Sequence, residues 1–268
     1  MSRKRRRDSG EPTGNLSWRV ETPSGPVLQK VYLARHGAIR GALRTLLMTL
    51  FSGKSGASPL ARWRTERAVL AHWAELGFDA PRDLSPQFPG LAREGVAVLE
   101  FVEGRVLLKL LAAARLARPE RDALLVRFAT EWSRRHGAAI DTGDTLLVQE
   151  HGGFEHVMVT PDRLVTFDFE QIHRAGRDVR RLVAREVAGY LRSLCKQVPD
   201  DVLRADVRAL IRGYTRRDIL HGVVDEAFRS RNPLRRLMFA FDRRIWRRIV
   251  RGGRKYVALA VLDHELRQ

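Results

Sequence analysis

A chain of 268 residues that is 44% hydrophobic and 30% charged is long enough for one two-lobed domain with a real core, and too apolar to be wholly disordered. Its single cysteine, Cys195, excludes an internal disulfide framework and a cysteine-built zinc site, so an intracellular setting is the simplest reading. The formal net charge of +18 favours polyanionic partners such as nucleic acid, anionic lipid headgroups or phosphorylated substrates, although a solvated arginine-rich surface accounts for it equally well.

Residues 1–14 are polar and basic with no apolar run behind them, so they read as a disordered tail and not as a secretory signal. Trp18 to Thr22 and Val27 to Ala34 flank Pro23-Ser24-Gly25-Pro26, a strand, turn, strand pattern. Lys30 stands between Leu28 and Tyr32 at period two, which puts its stem on a face with apolar groups. Arg35 to Lys54 is a basic, partly apolar insertion carrying Leu43, Leu46 and Leu47, read either as a surface helix against a membrane or as packing on the small lobe. Its apolar run, Leu46 to Phe51, is far short of the roughly 18 to 20 residues that span a bilayer. Gly53-Lys54-Ser55 lacks the glycine a phosphate loop needs five residues earlier, where Met48 stands, and reads as a turn.

Ser58-Pro59 supplies a capping hydroxyl and a proline at the first helical position, and the helix should run to about Leu76 before Gly77. Trp63, Glu66 and Leu70 share one face of it, so Glu66 needs a partner: Lys30, or Arg62 or Arg67 on the same helix. Val96 to Phe101 is an apolar strand ending at Val102-Glu103-Gly104. Pro119 to His136 is a helix with Leu124, Leu125, Phe128 and Trp132 on one stripe. Val157 to Val159 and Leu164 to Phe167 flank the turn residues Thr160 to Arg163 and should form a hairpin. That hairpin brings His156 and Asp168 side by side, where an imidazole and a carboxylate could hold a phosphate-bound metal. Asp178 is the expected cap of the next helix. Leu234, Met238, Phe241, Ile245 and Ile249 then form a stripe in a basic segment, with nine positive residues against Asp242 between Arg235 and Lys255.

The arrangement around Asp168 resembles the catalytic and metal-binding segments of the protein-kinase-like fold. Asp168-Phe169-Glu170 stands where that fold has Asp-Phe-Gly, and His156 stands where it has a metal-binding Asn. A His there followed by an apolar run is similar to the lipopolysaccharide kinase (Kdo/WaaP) family. Counting back five from His156, the base position holds His151, with Glu150 beside it and no Asp. The resemblance implies an α+β, two-lobed fold: a basic tail over 1–14, a small antiparallel-sheet lobe with one helix over 15–104 and a mainly helical lobe over 105–268. It also implies roles. Lys30, held by Glu66, would orient ATP; Glu100 and Val102 would meet the adenine at the hinge; His156 and Asp168 would hold Mg²⁺ or Mn²⁺; and His151 or Glu150 would take the acceptor's proton. No G-x-G-x-x-G covers the nucleotide, and Pro23-Ser24-Gly25 is the remaining phosphate-covering turn.

Three functions follow from these readings. The first is an ATP-dependent phosphotransferase acting on a hydroxyl of a lipid-linked saccharide such as lipopolysaccharide core. The second is a pseudokinase scaffold or binding module at an anionic membrane surface, favoured by the missing Asp. The third is a nucleic-acid-binding protein, supported by charge alone because no nucleic-acid motif is present. A monomer is expected, without specific nucleic-acid partners. The expected location is the cytoplasm, with the basic surface allowing peripheral contact at the inner face of the cell membrane.

Overall fold

The alternating apolar pattern after residue 15 folds as an antiparallel pair in the computed structural model, which describes residues 15–33, 58–113, 116–173, 176–228 and 257–268. Strand β1, Leu16–Thr22, pairs with β2, Gly25–Val31, and β3, Val96–Glu100, adds to the other edge of β2. The β1–β2 turn is tighter than its composition suggests. Thr22 pairs directly with Gly25, so Pro23 and Ser24 alone turn the chain, and Gly25 takes a φ of 105° that a side chain would resist. The registers Ser17↔Lys30, Lys30↔Ala97 and Leu28↔Leu99 place Ser17, Leu28, Lys30 and Leu99 on one face of the sheet.

Helix α1, Pro59–Glu75, begins as its sequence dictates: Ser58 accepts from the Ala61 N–H at 3.2 Å, and Pro59 occupies the first turn. Arg62, Glu66, Val69, Leu70 and Trp73 form its buried stripe. Trp73 anchors the helix to the rest of the molecule, donating its indole N–H to the Leu146 carbonyl at 3.0 Å and packing against Phe169 with ring centroids 4.5 Å apart. His72, one residue earlier, hydrogen-bonds Asp144 in the same loop.

Beyond Gly104 a second small sheet forms from β4, Arg105–Val106, β5, Val157–Val159, and β6, Leu164–Thr166, in the order β4-β5-β6. The β5–β6 hairpin is the one its turn composition predicts, while β4 joins it across more than fifty residues, with Arg105 opposite Val159. Gly104 permits this approach, because a Cβ there would lie 2.6 Å from the Val159 carbonyl oxygen.

The remainder is helical. Helix α2 spans Leu107–Ala112, α3 spans Arg118–Thr142, α4 spans Val179–Gln197, α5 spans Asp200–Gly213, α6 spans Arg217–Phe228 and α7 spans Val257–Leu266. Helix α3 runs past the expected end at His136 to a left-handed Gly143 at φ 72°. Its contact with α5 is close: a Cβ on Gly213 would overlap the Val126 carbonyl oxygen. A buried two-pronged pair fixes the same interface, Arg121 Nε and Nη2 donating to the two oxygens of Asp206 at 2.7 and 2.6 Å. Asp178 caps α4 as expected, accepting from the Arg181 N–H at 3.2 Å.

The architecture is α+β, with a small antiparallel sheet and one helix ahead of a second small sheet and a mainly helical body. Among the described residues no helix is long and apolar enough to cross a membrane. The basic tail over 1–14, the insertion from Arg35 to Lys54 and the stripe from Leu234 to Ile249 lie outside the described residues.

Candidate functional site

Lys30 leaves β2 on the sheet face that looks towards α1, and its Nζ lies 2.6 Å from Glu66 Oε2. The alternatives for Glu66 are taken elsewhere: Arg67 donates to Asp83 Oδ2 at 2.6 Å, and Arg62 reaches Glu170 Oε2 at 2.9 Å. Tyr32 also donates its hydroxyl to Glu66 Oε2. Glu170 Oε1 approaches Lys30 Nζ at 3.0 Å, so two carboxylates share one ammonium. Arg62 and Asn15 close the cluster. Arg62 Nη1 donates to Asn15 Oδ1 at 2.7 Å, its Nη2 donates to the Leu33 carbonyl, and the Asn15 side-chain amide donates to Glu170 Oε1.

Electrostatics follow from this burial. Burial pushes the Lys30 ammonium down, but Glu66 and then Glu170 outweigh it and hold Lys30 above its ordinary value. For Glu66 burial dominates and raises the carboxyl, with Lys30 and Tyr32 opposing. For Glu170 burial also pushes up, but Lys30 and Arg62 prevail and leave it below the usual carboxylate range.

Facing this cluster is the end of the hairpin. The Phe167 N–H donates to the His156 carbonyl at 3.0 Å, extending the β5–β6 ladder by one rung. That rung sets His156 Nδ1 3.5 Å from Asp168 Oδ2. Asp168 has φ 73°, the one non-glycine residue with positive φ among those described. Asp and Asn tolerate this left-handed conformation better than other side chains, though it still carries a cost of roughly 1–2 kcal/mol. The conformation turns the carboxylate towards the cleft while Phe169 stays buried under Trp73.

Between the two sheets lies a cleft of about 390 Å³, within the size range of small-molecule sites. Leu28, Leu99, Phe101, Val102, Met158 and Val165 supply apolar walls, and Lys30, Glu66, Asp168, Glu170 and Asn15 its polar end. Glu100 lines the opposite end. Burial raises its carboxyl, but hydrogen bonds from Arg163 Nη2 at 2.6 Å and the Arg82 N–H at 3.2 Å hold it below the ordinary range.

The expected site residues thus fall into two groups. Lys30, Glu66, Glu100, Val102 and Asp168 line one cleft, with His156 against Asp168. His151 and Glu150 do not line it. The His151 side chain is 63% exposed and the Glu150 side chain 2% exposed, their Nε2 and Oε1 3.4 Å apart. Three residues escape the sequence reading: Asn15, Tyr32 as a hydrogen-bond donor, and Arg62 as the partner of Glu170. Arg62 is within reach of it, because the spacing that turns Glu66 inward turns Arg62 inward one turn earlier.

Behind the site a buried network supports the hairpin end. Glu186 on α4 accepts from the Gln149 N–H at 2.8 Å and pairs with Arg135, while the Gln149 side-chain amide donates to the Phe167 carbonyl at 3.3 Å. The Tyr190 hydroxyl donates to Gln149 Oε1 at 2.5 Å. One carboxylate therefore fixes the backbone beside Glu150, and through Gln149 the backbone beside Asp168.

No protein-family model matches the chain, and no curated protein matches it. Among solved structures, WaaP in complex with acyl carrier protein is similar to it at a TM-score of 0.47 and 15% identity, covering 96% of this chain and 86% of that one.

Proposed function

We propose that the chain is an ATP-dependent phosphotransferase whose acceptor is a hydroxyl of a lipid-linked saccharide such as lipopolysaccharide core. The observation that carries the nucleotide half of this reading is the Lys30–Glu66 pair at 2.6 Å, set in a cleft that also presents Asp168. Phosphoryl transfer asks little covalent chemistry of a protein; it asks for positioning and charge neutralisation. Lys30 would orient the phosphates, and the apolar walls near Glu100 and Val102 would take the base. The acceptor half rests on the resemblance carried by His156 and its apolar run.

Asp168 and His156 are a donor set of two, and no cluster of three His, Cys, Asp or Glu that could hold a metal ion occurs among the described residues. That suits an ion completing its shell with phosphate oxygens and water, as magnesium does. Manganese accepts imidazole more readily, so both ions belong in the test. The ion would supply neutralisation of charge on the transferred phosphoryl group. His151 is the stronger candidate for the base: its exposed ring can meet an acceptor arriving from solvent, with Glu150 Oε1 3.4 Å from its Nε2.

A second reading, a pseudokinase binding module, is favoured by the position of His151 outside the cleft lining. Thermal stabilisation by ATP with Mg²⁺, with Mn²⁺ or with no metal separates the two, at salt high enough to suppress non-specific charge effects. ATP at about 100 times its dissociation constant adds roughly 2.7 kcal/mol. Metal-dependent stabilisation followed by phosphate transfer to a saccharide acceptor supports the enzyme; binding without transfer supports the module.

A further inference from the structure

We propose that Glu170 occupies the seat on Lys30 that a ligand's anionic group must take, and so selects by charge what enters the polar end of the cleft. The inference uses the reading of the cleft as a phosphate site, but its first observable, the state of Lys30, is independent of any nucleotide.

The charges at this end do not favour a bare anion. Lys30 and Arg62 bring two positive charges, and Glu66, Glu170 and Asp168 bring three negative ones. Lys30 already meets carboxylate oxygens at 2.6 and 3.0 Å. A phosphate arriving alone would add its charge to three carboxylates at close range, which costs more in a partly desolvated cleft than in water. Entry therefore requires that a carboxylate yield its place or that a divalent cation come in with the anion.

The geometry identifies which carboxylate yields. Glu66 is buried on the inward stripe of α1, with Lys30 and Tyr32 as its hydrogen-bond donors, and leaving Lys30 would strand it. Glu170 lines the cleft and has donors besides Lys30. Its Oε2 receives Arg62 Nη1 at 2.9 Å, and the Asn15 amide donates to Oε1, the oxygen that also approaches Lys30. Glu170 can release Lys30 and stay paired. Arg62 is placed to hold it there. Fully buried and fixed by Asn15 and the Leu33 carbonyl, it keeps the displaced carboxylate inside the protein. The ligand class that follows is a polyphosphate complexed with a divalent cation, in preference to free phosphate or metal-free polyphosphate.

The test is acetylation of the full-length protein by an amine-reactive ester, with each lysine followed by peptide mass spectrometry. The chain has six lysines, and exposed Lys109 serves as an internal reference. Glu170→Gln preserves shape and removes the charge, and Glu170→Asp keeps the charge near Arg62 but withdraws it from Lys30; thermal melts establish that each folds. Both should raise the Lys30 acetylation rate relative to Lys109 by about tenfold, the equivalent of about 1.4 kcal/mol of lost pairing. Inorganic tripolyphosphate without metal should protect Lys30 in Glu170→Gln at about one-tenth the concentration needed in the parent protein. With Mg²⁺ present the two midpoints should converge. An unchanged Lys30 rate in both variants overturns the inference, and so does protection of neither protein by tripolyphosphate. Equal protection of parent and variant by metal-free ATP would overturn it while leaving the nucleotide reading in place. Protection by tripolyphosphate but not by ATP would sustain the inference and remove the nucleotide.

Discussion

Lys30 on β2 and Glu66 on α1 meet at 2.6 Å across 36 residues of sequence, and both are buried. This pair is structural as well as central to the proposed nucleotide site. Lys30→Met should abolish stabilisation by ATP with metal and also lower folding stability by about 3–5 kcal/mol, because Glu66 is left uncompensated in the core. The double variant Lys30→Met/Glu66→Gln should regain much of the stability and none of the binding. Urea denaturation and ligand-dependent melting measure the two effects separately; full stability in the single variant would show that Glu66 does not depend on Lys30.

Asp168 combines a carboxylate with a left-handed backbone, and two substitutions separate those properties. Asn keeps the tolerance for positive φ and loses the charge, whereas Ala loses both. Asp168→Asn should melt within about 0.5 kcal/mol of the parent and lose the metal-dependent part of nucleotide stabilisation. Asp168→Ala should lose the same binding and about 1 kcal/mol more stability. If Asp168→Asn binds ATP with Mg²⁺ or Mn²⁺ as the parent does, Asp168 is not a metal ligand.

The contrast between these two sites shows what the sequence makes legible. The β5–β6 hairpin and the approach of His156 to Asp168 depend on local turn chemistry, so they can be read directly. Lys30 and Glu66 can be paired because each lies on an apolar face and their order along the chain matches the kinase-like pattern. Strand β4 cannot be read: two residues carry no periodicity, and their partner Val159 is more than fifty residues away. The end of α3 is misplaced by sequence alone because Gly137 follows His136 and looks like a stop. In the fold Gly137 lies within the helix, with the Arg216 side chain 3.4 Å from where a Cβ would stand, so tertiary packing overrides its low propensity. The Arg62–Glu170 contact spans 108 residues and leaves no local trace beyond the inward stripe of α1.

The buried network around Glu186 sets a direction for pH dependence. Burial would raise the Glu186 carboxyl, but Arg135 and then His136 hold it down at about 2. Burial lowers His136 to about 4 against the pull of Glu186; its Nδ1 faces the Tyr214 hydroxyl at 2.8 Å and its Nε2 lies 3.4 Å from Glu186 Oε1. Both folded values lie below the unfolded ones, so both groups contribute stability at neutral pH that is lost on acidification. His136 should act as pH falls from about 6.5 to 4, and Glu186 from about 4.5 to 2, each by up to about 1.4 kcal/mol per pH unit. His136→Gln should flatten the upper part of this profile and leave the lower part. A parent protein equally stable at pH 6.5 and pH 4.5 in urea titrations would contradict the assignment.

Neighbouring glycines in the loop before β5 should respond differently to the same substitution. A Cβ on Gly152 would lie 2.6 Å from Glu186 Cγ and 2.7 Å from Tyr190 Cε2, and both of those side chains are buried and fixed by the network that holds Gln149. Neither can give way without disturbing the backbone beside Glu150 and Asp168. A Cβ on Gly153 would overlap the Glu155 carboxylate, but Glu155 is exposed and its side chain can swing into solvent. The Gly153 backbone is extended at φ −169°, which any residue adopts. Gly152→Ala should therefore cost about 1–3 kcal/mol and weaken metal-dependent nucleotide binding, whereas Gly153→Ala should cost less than about 0.5 kcal/mol and leave binding unchanged. Equal losses in the two variants would mean that loop crowding in general, and not the contact with Glu186 and Tyr190, limits the size of residue 152.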